Sequence, residues 1–214
     1  MPYFNESMDS GARNKRIHEN KVSTGKEIAD FIKSYIKKIS GFEQKKTGKR
    51  DYSRKWQRPP HNFFKINFDG AFNERQNKSA SGIVARNQEG RVLVSRLELH
   101  HGITSVFTAE AIACWKAVQT RHSIIIEGDS LTIIRKCRTQ DQDRSLIATY
   151  IHDIQQENKK ANIIRFNHTP RQTNTLAHTI ATETLKRKEE VYLEMKVPTY
   201  AEDQARREWE REPD

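Results

Sequence analysis

The segment Phe64–Asn73, with the sequence FKINFDGAFN, has the clearest strand pattern in the chain and carries an Asp-Gly dipeptide. Apolar and polar residues alternate along it, so three apolar side chains face one side of a strand and three polar ones face the other. The apolar set is Phe64, Ile66 and Phe68, and the polar set is Lys65, Asn67 and Asp69. The pattern predicts a strand that ends on Asp69, directly before Gly70. Two interpretations are open: an Asp-Gly hairpin turn, or a carboxylate that binds a metal ion.

The composition is that of a globular domain with polar extensions. The chain has 214 residues, 35% of them hydrophobic and 31% charged, which accommodates one core of about 150 residues and an appendage. No run approaches the ~18 consecutive apolar residues of a membrane span, and the start lacks a signal-peptide pattern. The two cysteines, Cys114 and Cys137, show no zinc-ligand spacing. We expect a reduced intracellular protein, nuclear or cytoplasmic, with no membrane partner.

Positive charge is concentrated before the predicted domain. Residues 1–60 contain 15 Lys and Arg against 7 Asp and Glu, a net charge of +8, whereas residues 61–214 contain 23 against 21, a net charge of +2. Such an arm favours a polyanionic partner, with nucleic acid first, although a solvated leader fits the composition equally well. Residues 24–39 have the spacing of an amphipathic helix. In the basic linker that follows, Trp56 either stacks on bases or packs on the domain.

Residues 62–188 show the element order βββαβααβα. The elements are a strand at 63–69, a hairpin over SGIVARNQEGRVLVS, helices near 105–120, 130–138, 144–158 and 173–188, and strands at 124–129 and 162–168. The order predicts an α/β fold with a mixed five-stranded sheet and helices on both faces. Residues 1–61 are a basic extension with one helix and a linker. Residues 189–214 are a charged tail, either helical or disordered.

Three carboxylates occupy positions where a metal site can form. Asp69 closes the first strand, Asp129 closes the apolar strand, and Glu110 lies on a stripe of small apolar residues along a helix. A carboxylate on such a face is costly unless it is paired or bound to metal. If the two strands are parallel neighbours, Asp69 and Asp129 emerge side by side, and three hard oxygen donors suit Mg²⁺. Simpler interpretations remain open: a turn, an ion-paired helix residue and a helix N-cap.

Five segments together resemble the type 1 ribonuclease H domain, in the plant form related to non-LTR retroelement reverse transcriptases. They are KINFDGAFN, SGIVARNQEGRVLVS, AEAIACWKAV, IIIEGDSLTII and FNHTPRQTNTLAHTIA. The resemblance implies a ribonuclease H-like fold and a Mg²⁺-dependent endonuclease that cuts the RNA strand of an RNA–DNA hybrid. It implies that Asp69, Glu110 and Asp129 are catalytic metal ligands, and that His168 assists proton transfer or product release. It also implies a piece of a retroelement polyprotein or a gene descended from one.

The sequence departs from the resemblance at the fourth metal ligand. Active members carry Asp in the last helix, in a pattern like NxxAD, whereas this chain has His178 four residues after Asn174. Imidazole suits Mn²⁺ or Zn²⁺ better than Mg²⁺, and the change removes one negative charge. We therefore expect Mg²⁺ as the cofactor with Mn²⁺ as an alternative, and His178 as a weak fourth ligand.

Polar residues near the motif ends are candidates for contacts with nucleic acid. They are Asn73, Asn77, Ser130, Arg171 and Asn174. Groups of this kind recognise ribose 2′-hydroxyls across a minor groove, and arginine contacts phosphates. The sequence favours a monomeric hybrid-cleaving ribonuclease, with a nucleic-acid-binding module of reduced turnover as the alternative. A polynucleotidyl transferase shares the fold, but the AEAIACWKA helix and the NxxAH ending favour the ribonuclease.

Overall fold

A computed structural model describes residues 55–119, 124–139, 141, 143–160 and 164–210. The amphipathic helix predicted at 24–39 lies outside these residues. Within them, no helix is both long and apolar enough to cross a bilayer.

A mixed six-stranded sheet with the order β5-β4-β1-β2-β3-β6 forms the centre of the fold. The strands are β1 Phe64–Asn73, β2 Lys78–Arg86, β3 Val92–His101, β4 Ile124–Gly128, β5 Ile164–His168 and β6 Val191–Glu194. The pairs β1–β2, β2–β3 and β3–β6 are antiparallel, and the pairs β1–β4 and β4–β5 are parallel. The apolar run in β4 is explained by this position, since a parallel inner strand is covered on both faces.

Helices cover both faces of the sheet, as predicted. They are α1 Val106–Ala117, α2 Leu131–Arg138, α3 Ala148–Lys160, α4 Thr175–Arg187 and α5 Glu202–Glu210. The larger core lies between the sheet and α1, α2 and α3, and contains Phe68, Ile126 and Ile151. A smaller core on the other face joins Val84 to Leu176 of α4. The predicted order βββαβααβα is therefore confirmed, and β6 and α5 follow it.

The structure corrects two details of the predicted sheet. The first strand does not end on Asp69, because β1 continues to Asn73, and Gly70 pairs with Ser81 inside the sheet. The Asp-Gly dipeptide is thus not a turn. The sheet also has a sixth strand, β6, in the segment interpreted as a charged tail. Four residues between charged stretches are too short to show strand alternation, and β6 forms through its pairing with β3.

Trp56 packs on the domain, which was one of the two interpretations of this residue. Its side chain is 5% exposed, and its indole N–H donates to Asn67 Oδ1 at 2.8 Å. The base-stacking interpretation is therefore wrong for this residue. The boundaries predicted at residues 62 and 188 stay predictions, and Trp56 and β6 lie beyond them.

Helix α4 approaches β2 closely, which places its first turn near β1. A Cβ atom on Gly82 would lie 2.4 Å from both the Ala177 carbonyl oxygen and the Ala181 nitrogen. Only glycine fits such a contact without displacing the helix.

Candidate metal centre

Asp69, Glu110 and Asp129 lie together at one edge of the sheet. Each offers a carboxylate oxygen, and the three oxygens are all within 4.8 Å of one another. The parallel register of β1 and β4 pairs Asn67 with Glu127, so the residues two positions further on, Asp69 and Asp129, are level. This confirms that the three carboxylates converge, which the sequence predicted from the element order.

Glu110 reaches the cluster because α1 packs tightly against Gly70 of β1. Ser105 caps the start of α1 by accepting a hydrogen bond from the Thr108 N–H at 3.1 Å. A Cβ atom on Gly70 would lie 2.7 Å from the Ala109 carbonyl carbon and 2.8 Å from the Glu110 nitrogen. The glycine after Asp69 therefore allows the close approach of a helix.

We expect Gly70→Ala to separate α1 from β1 and to open the carboxylate cluster. Overpacking of this kind costs about 1–3 kcal/mol, and the displaced backbone carries Glu110 with it. Thermal unfolding and divalent-metal affinity should both fall. Gly102→Ala is a matched control for the added methyl group, since nothing lies within 4 Å of a Cβ there, although its positive φ adds local strain. Equal metal affinity in native and Gly70→Ala proteins would contradict the expected displacement.

The cluster carries more negative charge than its surroundings compensate. Burial and the nearby Asp69 and Asp129 carboxylates raise the pKa of Glu110 to about 9. Burial and Asp69 likewise raise the pKa of Asp129 to about 6. Glu110 Oε2 is buried and finds no hydrogen-bond partner among the described residues. Three converging carboxylates, one of them with a buried oxygen that has no hydrogen-bond partner, offer the oxygen ligands that a hard divalent cation prefers.

His178 lies beside the cluster, in contact with one of its carboxylates. Its Nδ1 is 3.0 Å from Asp69 Oδ2, and its Nε2 is 2.8 Å from Arg171 Nη2. Arg171 Nη2 also lies 3.2 Å from Nδ1, but a carboxylate accepts and an arginine donates, so both partners are satisfied when Nδ1 carries the proton and Nε2 accepts. His178 thus donates to Asp69 in this arrangement, and its role as a fourth ligand stays a prediction. The positive charge of Arg171 lowers the pKa of Glu110 and of Asp129, and so partly offsets the effects that raise them.

His168 and Ser130 flank Asp129. His168 ends β5, and its Nε2 is 3.2 Å from the Asp129 carbonyl oxygen. Ser130 precedes α2 as its N-cap residue and is partly exposed. Both side chains are thus brought to the carboxylate edge, and their predicted roles stay predictions.

The predicted asparagine contacts occupy different environments. Asn73 Oδ1 accepts from the Gln76 N–H at 3.2 Å in the turn after β1, and the exposed Asn77 follows in the left-handed conformation. The Asn77 carbonyl accepts from the Ile103 N–H at 3.0 Å, so this turn adjoins the segment that leads into α1. Both residues remain candidates for contact with a nucleic acid.

Asn174 is different because its side chain is 1% exposed. Its amide donates to the Phe68 carbonyl at 2.9 Å and accepts from the Asn67 amide at 3.2 Å. In this conformation the side chain joins α4 to β1, and its predicted contact with nucleic acid stays a prediction. The sequence reasoning missed Asn67, although its place on the polar face of β1, next to Asp69, was the available signal.

Comparison with known proteins agrees with this geometry. A family model described as reverse transcriptase-like matches residues 67–184, which is more than half of the chain. The chain therefore belongs to the reverse transcriptase-like family, and its domain is ribonuclease H-like. A search of curated proteins found no match.

Several solved ribonuclease H structures share the fold. The ribonuclease H1 of the archaeon Halobacterium salinarum NRC-1 is 20% identical, with a TM-score of 0.53, and the match covers 58% of this chain and 98% of that one. The N-terminal ribonuclease H domain of a Mycobacterium tuberculosis protein is 15% identical, with a TM-score of 0.52, covering 58% and 94%. The LC11 ribonuclease H1, solved with an RNA/DNA hybrid, is 18% identical, with a TM-score of 0.52, covering 58% and 98%.

Proposed function

We propose that this protein is a metal-dependent endonuclease that cleaves the RNA strand of RNA–DNA hybrids. The observation that carries the proposal is the convergence of Asp69, Glu110 and Asp129, together with the buried Glu110 Oε2, which has no hydrogen-bond partner among the described residues. The ribonuclease H-like fold supports it, and a structural neighbour was solved with an RNA/DNA hybrid. We propose Mg²⁺ as the ion, with Mn²⁺ as an alternative because His178 stands where a carboxylate is expected.

The three carboxylates would hold the cation at the edge of the sheet. When bound there, a divalent cation supplies a Lewis acid beside the scissile phosphate. Asp69 and Asp129 orient their oxygens through the rigid strand pair, and Glu110 does so through the tight contact of α1 with Gly70. His168, next to Asp129, would assist proton transfer or product release. His178 fixes one Asp69 oxygen by donating its Nδ1 proton.

Recognition of the hybrid would use the polar residues around this edge. Ser130 directly follows Asp129, and Asn73 and Asn77 lie further along the chain from Asp69, at the end of β1 and in the turn after it. All three would contact ribose 2′-hydroxyls. Arg171 is exposed and suits a phosphate, so binding should weaken as salt concentration rises. We further propose that the protein acts as an intracellular monomer of retroelement origin.

The raised pKa values predict how stability depends on pH. Glu110 and Asp129 have folded-state pKa values of about 9 and about 6, above their ordinary values, so their contribution to the stability of the metal-free protein is greatest when both are protonated. Their contribution is lost as pH rises through those values. Divalent metal replaces the protons, so the increase in melting temperature caused by Mg²⁺ should be larger at pH 9 than at pH 6.

Thermal unfolding with and without Mg²⁺ at the two pH values measures this effect. Glu110→Gln is the control. It removes the group with the higher pKa, so the melting temperature of the metal-free variant should depend less on pH. An equal Mg²⁺ effect at both pH values would count against protonated carboxylates in the metal-free site.

A second candidate is a nucleic-acid-binding module with little or no turnover. The observation that favours it is the Arg171–His178 pair. This pair puts an imidazole and a guanidinium where the ribonuclease H domains that the sequence resembles have a carboxylate.

One assay distinguishes a metal-activated enzyme from a binding module. An RNA–DNA hybrid and an all-RNA duplex of the same sequence, each labelled on the RNA strand, are incubated with the protein and Mg²⁺ or Mn²⁺. Cleavage confined to the hybrid supports the enzyme, and binding without cleavage in either metal supports the module.

A further inference from the structure

Two segments that lie outside the family-matched residues 67–184 meet over Arg86 of β2. One is the segment before β1 that contains Trp56, and the other is helix α5, which contains Glu208. The Arg86 guanidinium carbon lies 4.2 Å from the centre of the Trp56 ring, and Arg86 Nη2 lies 2.5 Å from Glu208 Oε2. Arg86 is only 3% exposed and the Glu208 side chain is 10% exposed, so this contact is buried.

Glu208 also bonds to the first turn of α4. Its Oε1 accepts from the Leu176 N–H at 3.0 Å. The residue at the N-cap position, Asn174, makes no side-chain bond to the described amides of that turn, since its amide is engaged with β1. Glu208 therefore replaces the missing N-cap, and its negative charge is favourable at a helix N-terminus.

A second chain of hydrogen bonds leads from Trp56 to the same turn. The Trp56 indole donates to Asn67, the Asn67 amide donates to Asn174, and the Asn174 amide donates to the carbonyl of Phe68. Phe68 directly precedes Asp69. The Asn174 carbonyl in turn accepts from the His178 N–H at 3.0 Å. The start of α4 is thus tied to two residues outside the family-matched region, to Glu208 directly through Leu176 and to Trp56 through Asn174 and Asn67.

We propose that Glu208 and Trp56 are positioning residues for the metal centre. They fix the first turn of α4 so that His178 stays 3.0 Å from Asp69, with Arg171 beside it. The α5 segment thereby becomes a functional part of the domain. This inference rests on the proposed metal centre, but its structural content can be tested without catalysis.

The test uses Glu208→Gln, which keeps an oxygen acceptor and removes the charge. Because this change leaves Arg86 buried without a counter-charge, the double variant Arg86→Leu with Glu208→Leu is examined in parallel. Asp203→Ala is the matched control, since Asp203 lies on the same helix and its side chain is 76% exposed. All variants are made in the full chain and measured well below their melting temperatures.

The first readout is the NMR signal of the His178 Nδ1 proton, which reports the bond to Asp69 without metal or substrate. In both Glu208 variants we expect this proton to exchange faster with solvent. We also expect their Mn²⁺ affinity to fall by about threefold to tenfold, which is the scale of a lost helix cap. Neither change is expected in Asp203→Ala. Where hybrid cleavage is measurable, the turnover number should fall more than the KM changes. A lower melting temperature with unchanged His178 exchange and unchanged Mn²⁺ affinity would overturn the proposal. If the native chain cleaves no hybrid, the proposed function fails, while the His178 signal still decides the positioning role.

Discussion

Asp69→Asn is expected to reduce cleavage of an RNA–DNA hybrid at least about 100-fold, the scale on which one preorganised electrostatic contact acts in an active site. Asp69 is the central member of the cluster, because it contributes to the raised pKa of both Glu110 and Asp129. The amide keeps the shape of the side chain and can still accept the His178 proton, but it removes the charge that would hold the cation.

The folded protein should tolerate this substitution. Removing the Asp69 charge relieves its repulsion of the two neighbouring carboxylates, so the pKa values of Glu110 and Asp129 should fall and the metal-free melting temperature should stay level or rise. Hybrid affinity measured in EDTA should be unchanged. Asp153→Asn, on the partly exposed surface of α3, is a control for the chemical change. Hybrid cleavage by Asp69→Asn at the native rate would show that the carboxylate cluster is not the active site.

His178→Asp is expected to raise Mg²⁺ affinity and Mg²⁺-dependent cleavage by about tenfold or more. The side chain lies next to Asp69 on a rigid turn, and a fourth carboxylate adds both a hard ligand and a full negative charge beside the cation. The ratio of Mg²⁺-supported to Mn²⁺-supported activity should rise as well, because imidazole favours the softer ion.

His178→Asn separates charge from size in this experiment. It removes the imidazole without adding a negative charge, so it should not raise Mg²⁺ affinity. Calorimetric titration of the metal-free proteins with Mg²⁺ measures both variants independently of turnover. If His178→Asp and His178→Asn bind Mg²⁺ equally well, the fourth position does not contribute to the metal centre.

The parts of the fold that were predictable from sequence are those encoded by local periodicity. The alternation in β1, the apolar run of β4 and the helical stripe around Glu110 each define an element within a few residues of the observed bounds. Their order then places Asp69 and Asp129 on neighbouring parallel strands. The proximity of Asp69 and Asp129 follows from this topology, whereas the position of Glu110 also depends on the close contact of α1 with Gly70.

The parts that were not predictable depend on partners distant in the chain. Strand β6 has four residues and forms only because β3 offers an unpaired edge. Glu208 reads as one of many charged residues in a polar helix, and only the folded chain shows that it caps α4 from 32 residues away. Asn174 is a polar residue in a motif, so the sequence favours a ligand contact, and only the folded chain shows that its side-chain amide bonds to Phe68 and Asn67. The Asp69-Gly70 dipeptide was ambiguous between a turn and a metal-binding carboxylate, and only the folded chain shows that Gly70 lies inside the sheet against α1.

The carboxylate cluster is tested most directly by binding of the metal itself. Mn²⁺ is titrated into metal-free native protein and into the Asp69→Asn, Glu110→Gln, Asp129→Asn triple variant, and free Mn²⁺ is followed by electron paramagnetic resonance at pH 8. We expect saturable binding by the native chain and none by the triple variant, whose circular dichroism should remain native. Equal Mn²⁺ binding by the two proteins would contradict a metal centre at Asp69, Glu110 and Asp129.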